Sequence, residues 1–185
     1  MCIRDRYILD NQENDGSWYG RWGTNYIYGT WSSLCAINLI DFKNKEEVIT
    51  KASNYLKKQQ RSDGGWGEDG ITYFENSKNI AKKSTPSQTA WAIMGLTAAG
   101  EIDSIEVENG VKYLLKNNKD HDWEEKYFTA VGFPKVFYLK YHGYAKYFPL
   151  LAILKIKNQL KLNSSTPQYG AVSYTHLTLP TIYSV

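Results

Sequence analysis

Aromatic side chains are the residues of this chain best equipped for chemistry, because a ring face attracts a cation without offering it a lone pair to bond with. Tyr, Trp and Phe make up 15% of the 185 residues, with 15 Tyr and 6 Trp. Rings at this density line a core, a sugar site or a cation site. Trp22 and Tyr28 fall within residues 20–31, Phe133 and Phe137 in Gly132-Phe-Pro-Lys-Val-Phe137, and Tyr141 and Tyr144 just beyond. From residue type alone, Phe133 and Phe137 read first as core packing. Acid, base and metal chemistry has poorer footing. Asp63-Gly-Gly-Trp-Gly-Glu-Asp69 lacks the ligand alternation of a calcium loop and reads as a turn, as does Asp120-His-Asp-Trp123. His121 and His142 have no Cys or carboxylate partner at metal-ligand spacing, and Cys2 and Cys35 are too far apart for a zinc pair, so no metal is expected.

Composition narrows the field further. A net charge of +3 shows no basic excess of the kind that nucleic acid demands, so nucleic acid is excluded as a partner. Two cysteines make no disulfide framework and fit a reducing compartment. No stretch approaches the ~18 apolar residues of a membrane-spanning helix, so contact with a membrane would be from one side. Lys78, Lys82 and Lys83 read as a solvated face.

Placing rings around a cavity needs helices, and the chain offers two kinds. Gly29 to Ile40 is apolar nearly all round, whereas Glu46 to Gln60 keeps Val48, Ala52, Tyr55 and Leu56 on one stripe. Trp91 to Ala99 is apolar all round again. Thr85 is its expected N-cap, with Pro86 in the first turn, Gln88 completing a capping box and Gly100 ending it. Glu106 to Lys116 returns to a single stripe of Val107, Gly110, Val111, Leu114 and Leu115. This alternation predicts an inner and an outer row built from helix pairs, and so an all-α fold, an α/α toroid or an open solenoid. Met1 to Arg6 and residues 169–185 share no pattern with the rest and read as adapter-derived sequence, leaving 7–168 as the folded segment.

The helix pairs carry an internal repeat. Lys51-Ala52-x-x-Tyr55-Leu56-x-x-x-Gln60-x-x-x-Gly64-x-Trp66 recurs upstream as Tyr7-Ile8-x-x-x-Gln12-x-x-x-Gly16-x-Trp18. A third, degenerate copy runs from Gly110 through Tyr113, Leu114 and Asn118 to Trp123 and is one residue short. The Tyr-Leu pair anchors the end of an outer helix, and the Asp-Gly turn sets an indole where the amide can stack on it. Gln12, Trp18, Gln60, Trp66 and Trp123 are accordingly structural clasps.

These repeats resemble those of the triterpene cyclases. Gly20-Arg-Trp-Gly-Thr-Asn-Tyr-Ile-Tyr-Gly-Thr-Trp31, Ser84-Thr-Pro-Ser-Gln-Thr-Ala-Trp-Ala-Ile-Met-Gly95 and Gly132-Phe-Pro-Lys-Val-Phe-Tyr-Leu-Lys-Tyr-His142 are similar to squalene-hopene cyclase signatures, over about residues 7 to 160. The resemblance implies part of a double α-barrel enzyme seated in one leaflet on the cytoplasmic side of the cell membrane. It implies squalene as substrate, cyclised to hopene or hopanol through carbocations without metal or organic cofactor. An Asp in an Asp-x-Asp-Asp motif starts that reaction, and this sequence has no such motif, so no catalytic residue is assigned and the isolated chain is expected to be inactive. Trp22 and Tyr28 match cavity-lining positions, Phe133 and Phe137 match rings beside late cations, and Tyr141 and Tyr144 match tyrosines near the acid. Another linear polyprene as substrate, a homodimer, and a non-catalytic toroid that stacks sugars or peptide on its rings stay open.

Overall fold

The structure, a computed structural model, describes residues 3–74, 83–120 and 122–162. Cys2, Lys78, Lys82, His121 and the tail 169–185 lie outside the described residues. The helices are α1 (Ile3–Asp10), α2 (Tyr26–Ile37), α3 (Lys45–Lys58), α4 (Pro86–Ala98), α5 (Ile105–Lys116) and α6 (Tyr144–Leu162), of which α2 to α5 match the four expected segments. The inner row is α2, α4 and α6, with α4 packed against both others; α3 lies outside α2 and α4, and α5 lies outside α4.

Residue type explains the layering. Every residue of α4 is buried, whereas α3 buries Ala52, Ser53, Tyr55 and Leu56, and α5 buries Val107, Gly110, Tyr113 and Leu114. The outer helices turn Glu47–Lys51 and Glu108–Lys112 pairs to solvent. They also start on acids and end on lysines, matching the helix dipole. The rows approach closely only because two positions lack a side chain. A Cβ on Gly95 would stand 2.9 Å from Leu56 and 3.2 Å from the Trp31 Cα, and one on Gly110 would stand 2.8 Å from the Trp66 ring.

Some features depart from the sequence reading. Thr85 caps α4 as expected, its hydroxyl accepting from Gln88 N–H, but Gln88 does not complete the capping box. The first turn of α4 is buried, and the Thr85 N–H is already given to the Trp66 carbonyl at 2.8 Å. The Gln88 amide instead donates to Thr24 O and Glu68 O and accepts from Glu68 N–H, stitching α4 to the neighbouring turns. Two short antiparallel hairpins also interrupt the helices: β1 (Asn118–Lys119) with β2 (Asp122–Trp123), and β3 (Ala130–Phe133) with β4 (Phe137–Leu139). Strands this short leave no readable alternation. Helix α6 was equally hidden, because Pro149 in its second turn reads as a helix break.

Candidate functional site

The repeat turns form the scaffold of the site. In the second copy Trp66 Nε1 donates to the Leu56 carbonyl at 2.7 Å, closing the end of α3. The Gln60 amide donates to Gly64 O at 2.9 Å and to Glu106 O, in the first turn of α5, at 2.8 Å. The first copy repeats this: Trp18 Nε1 donates to Ile8 O, and Gln12 donates to Gly16 O and to Val48 O in α3. Each glutamine therefore ties its turn to the next outer helix by hydrogen bonds. Gly16 and Gly64 have φ of +92° and +84°, and a Cβ on either would fall within 2.7 Å of a carbonyl oxygen of that helix. In the degenerate third copy the indole bond persists, from Trp123 Nε1 to Leu114 O at 2.8 Å, while Asn118 joins β1.

Two residues after the second and third indoles stands a buried carboxylate. Glu68 Oε2 accepts from Asn25 N–H and Ile27 N–H at 3.2 and 2.9 Å, and its Oε1 accepts from Tyr26 N–H at 3.1 Å, sealing the start of α2. Burial pushes the Glu68 carboxyl up from its ordinary value, against the pull of those backbone bonds and of Thr72. At the start of α4, Glu125 accepts from Ser87 N–H at 3.0 Å and from the Thr129 hydroxyl at 2.7 Å. Neither glutamate is among the residues expected from sequence; their signal there is the recurrence of Trp-x-Glu at 66–68 and 123–125. Asp63 and Asp69 take the turn roles expected of them, accepting from Gly65 N–H and Ile71 N–H. Asp122 is paired with Lys146 at 2.9 Å, and His142 is exposed.

On this scaffold sits a wall of rings. The loop carrying Trp22 forms an edge of the β3–β4 hairpin: Val131 N–H donates to Trp22 O at 3.0 Å, Thr24 N–H donates to Thr129 O at 2.9 Å, and Gly23 bridges Ala130. Phe133 and Phe137 meet edge to face at 5.5 Å across the hairpin. Between them Pro134 and Lys135, the latter at φ +67°, follow the pattern of a type II turn. The Phe137 ring lies over Gly132, where a Cβ would come within 2.0 Å. Trp22, Phe133 and Phe137 are 54, 55 and 43% exposed and so do not pack this chain's core.

The wall continues onto the inner helices. The Tyr28 ring rests on Gly23 and meets Trp91 at 5.0 Å, and Trp91 meets Tyr144 at 5.9 Å, which in turn meets Tyr141 at 5.2 Å. Phe133 and Phe137 thus share the hairpin to which the Trp22 loop is bonded, while Tyr28, Tyr144 and Tyr141 share a ring cluster with Trp91. Trp31 and Phe148 belong to that cluster as well. Trp31 and Trp91 stack within 3° of parallel, and Phe148 sets its edge against both. Burial raises the Tyr28 phenol, and burial followed by Tyr28 and Tyr141 pushes Tyr144 up to about 12. Both are neutral near pH 7, offering ring faces without an anion. Among the described residues no group of three or more His, Cys, Asp or Glu is placed to hold a metal.

Comparison with known proteins gives this arrangement its family. The family described as Squalene-hopene cyclase C-terminal domain matches residues 3–158. A squalene–hopene cyclase of Bradyrhizobium diazoefficiens is 49% identical over 166 residues, covering 89% of this chain and 25% of the relative. One from Zymomonas mobilis has the same identity and coverage. The chain spans about a quarter of the length of these curated relatives. Among solved structures, an ent-copalyl diphosphate synthase from Streptomyces platensis shares the fold, with a TM-score of 0.58 at 18% identity over 83% of this chain and 27% of that one. With most of its length matched by that description, the chain belongs to the squalene-hopene cyclase family of terpene cyclases and corresponds to its C-terminal domain.

Proposed function

We propose that the enzyme to which this chain contributes cyclises squalene to hopene or hopanol, and that this chain supplies the cavity wall facing the later carbocations. A carboxylic acid absent from this sequence protonates the terminal double bond. Successive alkene π bonds then attack the cation to form rings, and loss of a proton or addition of water ends the sequence. A cation surrounded by hydrocarbon needs stabilisation that does not trap it, and each ring face supplies about 0.5 to 2 kcal/mol without a nucleophile. The neutral phenols of Tyr28 and Tyr144 suit this role, as a phenolate would capture the cation. The isolated chain is inactive in this reading, because it lacks the acid and cannot by itself exclude water from the cation. The parent enzyme works as an isomerase-type cyclase attached to one face of a membrane.

The observation that carries the reading is that Trp22, Phe133 and Phe137 stand half exposed on hydrogen-bonded backbone, outside the core. Phe133→Ala or Phe137→Ala in the complete enzyme withdraws about 1 to 2 kcal/mol from a late transition state, and ~1.4 kcal/mol is tenfold in rate. Squalene is still consumed, but incompletely cyclised products accumulate, while Phe→Tyr keeps the parental pattern. Gas chromatography of the products tests this. Parental products in parental ratio from both folded alanine variants would defeat the assignment.

A further inference from the structure

The Trp22 loop is held from two sides. The hairpin takes one, through Trp22 O and Thr24 N–H. The other is held by the turn at residues 68–73. There the Tyr73 hydroxyl stands 2.7 Å from Gly20 O and 2.9 Å from Gly23 O. Asn25 accepts from Gly20 N–H and donates to Thr72 O at 3.2 Å, and so is not free to cap α2 with its side chain. That cap comes from Glu68, 5% exposed, whose two oxygens take the N–H groups of Asn25, Tyr26 and Ile27. Asn25 lies three residues from Trp22 and Ile27 adjoins Tyr28, so Glu68 fixes the backbone that leads from the Trp22 loop into the helix turn bearing Tyr28. We propose that Glu68 is a positioning residue for Trp22 and Tyr28, holding the loop and helix start that set where these rings stand in the cavity wall. The proposal rests on the cyclase reading.

Glu68 has no contact with substrate in this role; it acts through the loop. Replacing it with Gln keeps the shape but turns an NH2 group towards backbone N–H donors, so at least one of them loses its acceptor. In the intact enzyme, the amides of residues 20–27 of Glu68→Gln are expected to exchange several-fold faster, the factor for losing one hydrogen bond. The share of incompletely cyclised products should rise at a temperature where the variant is fully folded. Tyr73→Phe keeps the ring, loses only the hydroxyl, and moves both readouts the same way; it carries the test if Glu68→Gln does not fold. Gln60→Ala, which loosens the tie to α5 on the other side of Trp66, lowers the melting temperature but leaves loop exchange and product ratio parental. Unchanged exchange in Glu68→Gln overturns the proposal, and so does a loosened loop with a parental product ratio. A parent enzyme that leaves squalene untouched sinks the cyclase reading itself, an outcome distinct from an active variant with parental products.

Discussion

Trp66 shows how one side chain can serve stability without touching chemistry. It is fully buried, its indole N–H closes α3, and its backbone N–H donates to the Thr89 hydroxyl of α4 at 3.0 Å. Trp66→Ala in the complete enzyme should therefore cost ~3 to 5 kcal/mol, the range for emptying a large aromatic site, with no change in product pattern. Thermal denaturation and product analysis together check this. Lys135 sits at the opposite extreme. Its left-handed backbone costs a non-glycine residue roughly 1 to 2 kcal/mol, while its ammonium, 5.7 Å from the Phe74 ring, returns only about 0.5. Glycine adds ~0.5 to 1 kcal/mol of chain entropy, so Lys135→Gly should raise stability slightly, by about 0.5 kcal/mol, as an upward shift in urea midpoint.

At the scale of elements, close approach between rows is the sensitive feature. Gly95 lets α4 touch both α2 and α3, and Gly95→Ala forces a methyl within 3.2 Å of the Trp31 backbone. The expected cost is ~1 to 3 kcal/mol, read from denaturant melts, whereas alanine at Gly100, where no atom lies within 4 Å, meets only the φ of +84°. Helices α2 to α5 were legible because burial on one face or on all faces writes itself into residue periodicity. The six proposed cavity positions come from motif resemblance, since nothing in Phe133 or Phe137 alone distinguishes a wall from a core. What escaped depends on partners distant in sequence. Gln88 looked like a local capping residue, yet its amide reaches Thr24, 64 residues away. Glu68 bonds α2 across 41 to 43 residues, a pairing that no local window contains.

For the whole molecule, burial of ionisable groups predicts how the protein meets alkali. Burial pushes the Cys35 thiol up to about 11 and raises the phenols of Tyr55, Tyr73 and Tyr113. Each acid holds its proton more tightly folded than unfolded, so its stabilising contribution is complete below the unfolded value, ~8.5 for Cys and ~10 for Tyr, and is lost as pH rises through the folded value. Melting temperature should stay level to about pH 8.5 and fall above it, with phenolate absorbance appearing together with unfolding. The purified 185-residue chain should leave squalene unchanged, and product analysis after incubation decides that point. The carboxylates that seal the inner helices also govern how the chain can be made. The start of α2 at Tyr26 leaves the ribosome 42 residues before the Glu68 that closes it. At roughly 5 to 20 residues per second that gap lasts about 2 to 8 s. During it the exposed N–H groups and apolar flank of α2 must be tolerated or shielded, and α4 waits in the same way for Glu125. Synthesis thus leaves α2 and then α4 unsealed for a stretch behind the growing end, and a slow codon placed between a helix and its carboxylate would lengthen the interval in which a nascent chain needs a chaperone.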